Sequence, residues 1–485
     1  MKYLDQTVNK ILLVNPPCDP SIGYGKFLSK MTFLFPPIGL MYLASYIERE
    51  NNVQVKIFDS QVDSKNLIEE IREFKPQIVG ISTQTAQYPI VVQLSKEIKD
   101  QFPEITIIVG GSHPTVLPYE PASNPNIDIT VIGEGEVTLS EIIKYKTNQI
   151  PLKQIQGIAY QDQGKVILNP ARPLIKDLNS LPMPAAHLID LNKYRCSPDN
   201  QIGNKTAVIT TSRGCPFNCS FCAMKDKFQR KYRVRSLESI EAELDYYKNH
   251  GVDSLFIIDD LFTLNKQFIQ RFCNLLQDKK YNFKWWAQTR ADCIDMEMLK
   301  AMKKAGCSIL SFGIESGSDR ILKIIKKGIT TAQIKKAVIM TRKAGIISRG
   351  AFILGLPEET FWESLKTIWF ALRLPLHRAK FGLLVPYPGT EVWFLALAEG
   401  QVKETGEDWM RFSSMWGYSK LPPSYVPKGR NPKILGFLQR FANFIFYLKP
   451  SVIWDIITYY NKNKKWNNLL FAVRTFLRAT FLKKT

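Results

Sequence analysis

Two blocks of short β-branched runs, each run followed by an amphipathic helical segment, restrict the folds open to this chain. In the first block the runs cover residues 10–14, 53–58, 77–82, 105–109 and 127–132, with helical periodicity over 39–50, 65–74, 89–100, 116–122 and 137–146. Short, evenly apolar strands alternating with helices predict a doubly wound parallel sheet of Rossmann-like type, because strands buried on both faces need helices on both faces. A ligand of such a sheet sits beyond the carboxyl ends of the strands. The second block runs from about residue 206 to 400, with strands predicted at 206–211, 254–258, 284–288, 308–313, 348–354 and 380–385. Six strand–helix units fall short of the eight in a closed barrel and predict a partial (β/α)6 barrel of TIM type. The expected organisation is a ligand-binding sheet domain over 1–150, a hairpin and proline-rich linker over 151–204, the partial barrel over 205–400, and a helical tail over 401–485.

Charge is unevenly spread. The chain of 485 residues has 65 Lys+Arg against 44 Asp+Glu, a formal net charge of +21. Residues 409–485 hold 14 of those cations and one acid, Asp455, so +13 of the excess belongs to the tail. That tail interleaves Trp454, Tyr459, Tyr460 and Trp466 with Lys462, Lys464 and Lys465. Its apolar face is too large for a groove tracking phosphates, so nucleic acid is not expected as a partner. The pattern fits helices lying in a membrane interface; a helical cap packed on the barrel is the competing reading. No signal-peptide core and no uninterrupted run of 18 apolar residues occurs, which predicts a cytoplasmic chain, peripheral at most at the inner face of a membrane.

The chemical signal is Thr211-Ser-Arg-Gly-Cys-Pro-Phe-Asn-Cys-Ser-Phe-Cys-Ala-Met224, a C-x3-C-x2-C spacing just after the first barrel strand. Three thiolates on one loop can hold three irons of a 4Fe–4S cluster and leave the fourth open to a chelating ligand. A zinc site would need a remote fourth ligand such as His187 or Cys196, since no second Cys or His pair is present. Cys18, Cys196, Cys273, Cys293 and Cys307 are isolated and are given no role.

This loop resembles that of the radical S-adenosylmethionine superfamily. The segments Phe256-Ile-Ile-Asp-Asp-Leu-Phe-Thr263, Trp286-Ala-Gln-Thr-Arg-Ala-Asp292, Gly313-Ile-Glu-Ser-Gly-Ser318, Gly355-Leu-Pro-Glu-Glu-Thr360 and Pro386-Tyr-Pro-Gly-Thr-Glu391 follow the order of its cobalamin-binding branch. The resemblance implies that Cys215, Cys219 and Cys222 ligate the cluster and that Phe221 packs on the adenine of S-adenosylmethionine. It implies further contacts to that cofactor from Asp259 or Asp260, Arg290, Gly313, Glu315 and Ser316. Helix capping by the two aspartates, and an ion pair of Arg290 with Glu315 or Asp292, are the structural alternatives.

In the first block, Lys10-Ile-Leu-Leu-Val-Asn-Pro-Pro17, Pro36-Pro-Ile-Gly39, Gly110-Gly-Ser-His-Pro114 and Gly133-Glu-Gly-Glu136 resemble the cobalamin domain of that branch. Ser82, Thr83, Gly110, Gly111, His113, Gly133, Glu134 and Gly135 are the implied cobalamin contacts. No Asp-x-His-x-x-Gly motif is present, so His113 is not expected to bind cobalt. The sequence Asn15-Pro-Pro-Cys18 replaces the Gly-x-Gly-x-x-Gly that a dinucleotide site requires, which disfavours NAD.

The resemblance implies a methyltransferase that uses a 5′-deoxyadenosyl radical and methylcobalamin to methylate an unactivated carbon, and the tail suggests a lipid, polyprenoid or tetrapyrrole substrate presented at a membrane. An oxidative cyclase of the same family and a non-catalytic cobalamin-binding sensor are the alternatives. Arg213, Lys225, Lys227, Arg230, Lys231, Arg233 and Arg235 surround the cluster loop and could attract an anionic substrate or a reducing flavodoxin or ferredoxin; a solvated basic surface is the competing reading.

Overall fold

A computed structural model of the chain describes residues 8–17, 33–147, 149–197, 201–223, 229–419, 421–462 and 466. Cys18, Lys225, Lys227, Lys464 and Lys465, considered above, lie outside the described residues. In the first block, strands β1 (Lys10–Asn15), β2 (Gln54–Asp59), β3 (Ile78–Thr83), β4 (Thr106–Gly111) and β5 (Ile129–Val131) alternate with α1 (Ile38–Glu50), α2 (Leu67–Phe74), α3 (Tyr88–Gln101) and α4 (Gly135–Lys146), with two short helical turns between β4 and β5. The strands are parallel in the order β2-β1-β3-β4-β5. Two-residue periodicity sorts the side chains. Leu12, Val14, Val79, Ile81, Ile107 and Val109 pack on α2 and α3, while Ile11, Leu13, Ile78 and Ile108 join the core beneath α1 and α4. The hairpin β6 (Ile158–Asp162) and β7 (Lys165–Leu168), expected to open the linker, instead extends this sheet by pairing antiparallel to β5. Ile158 and Ala159 are fully buried there, so leaving the sheet would expose them.

The second block is a row of six parallel strands among the described residues: β8 (Thr206–Ile209), β9 (Ser254–Ile257), β10 (Lys284–Thr289), β11 (Cys307–Glu315), β12 (Ile347–Leu354) and β13 (Arg378–Leu383). The order is sequential, and β8 and β13, at the two ends of the row, do not pair with each other, so the barrel is partial as expected. Helices α5 (Leu237–Asn249), α6 (Lys266–Asp278), α7 (Met296–Lys304), α8 (Thr331–Lys343), α9 (Phe361–Arg373) and α10 (Glu391–Ala398) return the chain between or after the strands. Side-chain caps start them: Ser236, Asn265, Asp295, Thr330, Thr360 and Thr390 each accept a first-turn amide. Phe256 stacks on Trp286 with ring centres 3.7 Å apart, and Phe35, from the segment before α1, lies 4.8 Å from Phe256. An aromatic plug from the first block thus enters the barrel's apolar lining.

In the tail, α11 (Pro432–Tyr447) and α12 (Pro450–Lys462) follow the barrel. One face of α11 covers the free edge of β13. Asn443 Oδ1 accepts the Phe381 amide at 3.1 Å, and Asn443 Nδ2 and Gln439 Nε2 both donate to the Phe381 carbonyl at 3.1 Å. An edge strand's open backbone groups are hazardous unless covered, and this helix covers them. The cap reading therefore holds for the inner face of α11, while its outer face remains open. Among the described residues, no helix is long and apolar enough to cross a membrane.

Asn443→Ala is expected to lower the unfolding free energy by about 1–3 kcal/mol, because both polar groups of Phe381 lose a buried partner. Denaturant titration of the full chain checks this.

Candidate functional site

Glycine shapes the carboxyl-end face of the first sheet. Gly111 has φ +113°, and a side chain there would strike the Thr83 carbonyl at 2.5 Å, so only glycine lets the chain turn so tightly after β4. Gly39 and Gly133 have no atom within 4 Å of where a Cβ would stand. These open positions line a cavity of about 310 Å³, together with Ser82, Gly110, Gly111, Glu134 and Gly135. Thr210, Ser212, Arg213, Ile258 and Asp260 close it from the barrel side. The cavity therefore lies between the two blocks, against the strand that leads into the cluster loop.

Not every expected contact faces this space. Thr83 is buried, and its hydroxyl donates to the Gln84 carbonyl at 3.1 Å. His113 is fully buried, stacked on Tyr88 at 4.4 Å and edge-on to Trp409 at 5.1 Å, with Nε2 3.3 Å from Glu120 Oε2. It lies outside the cavity lining. The expected cofactor role of His113 is thus corrected: the ring packs against the segment that follows the barrel. Glu134 borders the cavity, but its carboxylate is taken up by the other block. It accepts from Arg213 Nη1 at 2.9 Å, Arg233 Nη1 at 2.8 Å and the Ile175 amide at 2.8 Å. Burial alone would raise its pKa, yet Arg233 and Arg213 hold it below the ordinary value. Arg213 Nη2 also reaches Glu136 Oε1 at 2.7 Å, and the guanidinium sits 5.1 Å over the Tyr42 ring.

These pairs revise the basic patch. Arg213 and Arg233 are largely buried and ion-paired, and Arg235 is buried against Glu243 at 2.6 Å and the Tyr42 hydroxyl at 3.0 Å. They serve internal structure, which leaves Arg230 and Lys231 as the exposed cations of that patch among the described residues.

The cluster loop is fastened at both ends. The Gly214 amide donates to Asp260 Oδ2 at 3.1 Å, the Ser220 amide to the Ile325 carbonyl at 3.0 Å, and the Val392 amide to the Ser220 carbonyl at 3.2 Å. Cys219 is nearly buried, while Cys215 and Cys222 are half-buried, and none of the three is in a disulfide. Burial raises the Cys215 thiol, opposed by the Phe217 amide. A bound metal's positive charge would be needed to deprotonate such a thiol. Among the described residues, no three such side chains gather on a single ion-sized point. Three cysteines outside any disulfide, spread along one loop, fit a multi-iron cluster, in which each sulfur takes its own iron.

Asp259 is fully buried behind this loop. It accepts from the Thr211 amide at 2.7 Å, the Thr211 hydroxyl at 2.5 Å and the Ser212 hydroxyl at 2.6 Å, and burial raises it to about 6. It shapes the strand end, whereas Asp260 borders the cavity. Neither aspartate caps α6, whose cap is Asn265.

On the opposite side, Arg290 is buried, pairs with Asp292 at 2.7 Å, donates to the Lys327 carbonyl, and lies 3.9 Å over the Phe217 ring. Glu315 ends β11 at φ +64° and accepts from Lys327 Nζ at 2.8 Å. Burial would lower the Lys327 pKa, but the Glu315 charge raises it. The ammonium also stands 6.0 Å from the Phe221 ring. Any side chain on Gly313 would meet Glu315 Oε1 at 2.5 Å, so that glycine makes room for the ion pair. Ser316 is buried away from this pair, 3.2 Å from the Thr367 hydroxyl of α9.

The sequence reading passed over Phe217 and Lys327. Lys326-Lys327-Gly328 reads as the solvated end of a helix, and only the fold brings Lys327 back onto Glu315. The pair places one buried carboxylate and one buried ammonium beside the aromatic ring of the cluster loop, a setting able to meet both charges of an amino-acid moiety.

Comparisons with known proteins follow the same division. Residues 209–370 match the model of the Radical SAM superfamily, and residues 26–143 match that of the B12 binding domain. An uncharacterized methyltransferase of Pyrococcus horikoshii is 35% identical over 451 residues, covering 92% of this chain and 94% of that protein. The anaerobic magnesium-protoporphyrin IX monomethyl ester cyclase of Cereibacter sphaeroides is 29% identical over 371 residues, covering 74% of this chain and 60% of the cyclase. The solved structure of the cobalamin-dependent S-adenosylmethionine radical enzyme OxsB, with aqua-cobalamin and S-adenosylmethionine bound, shares the fold with a TM-score of 0.65 at 22% identity. That match covers 81% of this chain and 56% of OxsB, so the chain spans less than two thirds of the length of both OxsB and the cyclase.

Lys327→Met is expected to destabilise the chain by about 3–5 kcal/mol, because it leaves the Glu315 carboxylate buried without its partner. The double variant Glu315→Gln with Lys327→Met should recover much of that loss. Comparing the unfolding midpoints of the three proteins checks this.

Proposed function

Because the chain belongs to the cobalamin-binding radical S-adenosylmethionine enzyme family, we propose that it is a methyltransferase acting on an unactivated carbon of a lipid-like substrate such as a polyprenoid or tetrapyrrole. The observation that carries this reading is the shared cavity, which is bounded on one side by the glycine cradle and on the other by Ser212, Arg213 and Asp260 next to the cluster loop. Transfer between a corrinoid and a radical centre requires both to open on one space closed to water.

The donor set fits the family's three cofactors. The side chains of Cys215, Cys219 and Cys222 would hold the 4Fe–4S cluster, and the open backbone at Gly39 and Gly133, with Ser82, would receive cobalamin. Phe221, Arg290, Glu315 and Lys327 would receive S-adenosylmethionine. When bound, the cluster supplies the electron that cleaves S-adenosylmethionine to a 5′-deoxyadenosyl radical, and the corrinoid supplies the methyl group. The chain's own residues orient and enclose. Asp260 and the Ile325 carbonyl anchor the cluster loop, and Glu134 and Glu136 fix Arg213 at its start. The stacked Phe35, Phe256 and Trp286 make an apolar wall in the barrel. The exposed Arg230 and Lys231 lie near the loop, where a reducing flavodoxin or ferredoxin would approach. The exposed aromatics and the charge of the tail support a membrane surface as the source of a lipid-like substrate.

The likeness to an anaerobic cyclase favours one second reading, radical oxidation without methyl transfer. Anaerobic turnover with methyl-labelled S-adenosylmethionine separates the two. The methyltransferase reading expects label in product together with 5′-deoxyadenosine; 5′-deoxyadenosine with unlabelled product supports the cyclase reading instead. Gly39→Leu is expected to weaken corrinoid retention by about tenfold or more while leaving the 4Fe–4S absorbance intact, because its side chain enters the cavity from an ordinary helical position. Corrinoid and iron content after anaerobic reconstitution check it.

A further inference from the structure

We propose that helix α9 of the barrel and helix α11 of the tail form one rigid docking face for an anionic phospholipid surface. This deepens the proposed lipid-like substrate and rests on that reading. The membrane contact would then be part of the catalytic barrel and not a property of the tail alone.

The two helices are joined at both ends. Arg430, just before α11, donates to the Glu359 carbonyl at 2.8 Å and to the Ser364 hydroxyl at 3.2 Å, at the start of α9. Lys449, just after α11, donates to the Leu374 carbonyl at 2.8 Å, at the end of α9. The helices therefore run side by side in the same direction, and their outward faces share one side of the molecule.

Those faces are built unlike an ordinary solvated surface. On α9, Trp362 is 75% exposed and Trp369 56% exposed. Lys366 and Arg373 each follow one of these tryptophans by four positions, so indoles and cations alternate along one stripe. The Arg373 guanidinium lies 4.9 Å over the Trp369 ring. On α11, Phe437 is 56% exposed, stacks on Phe441 at 5.9 Å, and follows the exposed Lys433 by one turn. Helix α12 continues the surface with Trp454, and the Arg342–Asp455 pair at 2.8 Å fixes that helix to the barrel.

The charges choose the occupant. Large aromatics beside long cations suit a bilayer interface, with rings at the head-group level and ammonium or guanidinium groups near lipid phosphates. A second copy of the chain would set Lys366, Arg373 and Lys433 against their own kind across a two-fold axis, which repels. The nearest acids are committed elsewhere: Glu363 pairs with Arg320 at 2.7 Å and Asp455 with Arg342. The inner face of α9 also bears on the site, because the Thr367 hydroxyl accepts the Gly317 amide at 3.0 Å, two residues past Glu315. One helix thus backs the candidate cofactor turn on one side and offers a lipid-facing stripe on the other.

Vesicle co-sedimentation of the full chain tests this, with phosphatidylcholine alone and with an equal mixture of phosphatidylcholine and phosphatidylglycerol. The parent chain should bind the mixed vesicles, and added salt should weaken that binding. Trp362→Ser with Trp369→Ser should reduce binding by about tenfold or more, as should Phe437→Ser with Phe441→Ser, with circular dichroism unchanged because these side chains are exposed. Lys366→Glu with Arg373→Glu should abolish binding to the mixed vesicles without removing apolar surface. The proposal is overturned if the α9 variants bind as the parent does, if the parent binds neither vesicle, or if cross-linking shows this face buried between two copies. Labelled-methyl turnover in detergent solution, without vesicles, reports on the methyltransferase reading separately, so the two can fail independently.

Discussion

A buried arginine two residues ahead of the first cluster cysteine joins the two halves of this protein. Arg213 divides its guanidinium between Glu134 at 2.9 Å, in the turn that carries the open Gly133 of the cradle, and Glu136 at 2.7 Å, in the first turn of α4. Arg233 adds a second cation to Glu134. A planar guanidinium that gives one hydrogen bond to each of two carboxylates is directional, so it sets the angle between the loop and the cradle as well as the distance. Its cost is the desolvation of several charges, which is tolerable only while each keeps its partner. The cavity between the blocks depends on that setting, since Arg213 and Glu134 are part of its wall.

The same principle recurs on the far side of the cluster loop. Glu315 and Lys327 neutralise one another at the end of β11, and Arg290 is held between Asp292, the Lys327 carbonyl and the Phe217 ring. Each of these buried charges has a compensating partner within hydrogen-bond reach. A zwitterionic ligand can exchange partners with such a pair without stranding either charge, which an apolar pocket would not allow.

The strands and the cluster loop were legible in the sequence because they rest on local signals. Alternating β-branched runs and helical periodicity marked the strands and helices, and three cysteines in eight residues marked the loop. Residues whose role depends on distant partners were harder to read. Glu134 lies in a glycine-rich turn that suggests ligand contact, yet Arg213 and Arg233 claim its carboxylate from far along the chain. His113 follows a strand end, where ligands gather, but Trp409 of the carboxy-terminal segment closes over it. Lys327 carries no local signal, and its role comes from Glu315, which β11 brings within 2.8 Å of it. The tail has two unlike faces: Gln439 and Asn443 face the edge of β13, while Phe437 and Phe441 face outward, and composition could not assign them.

The central claim is that the Arg213 clasp holds the corrinoid cradle and the cluster loop as one unit. A double-mutant cycle on Arg213→Met and Glu136→Gln, read as the unfolding free energy of the full chain, tests it most directly. The account predicts a coupling energy of about 2 kcal/mol or more between the two positions. Effects that add to within about 0.5 kcal/mol would contradict it.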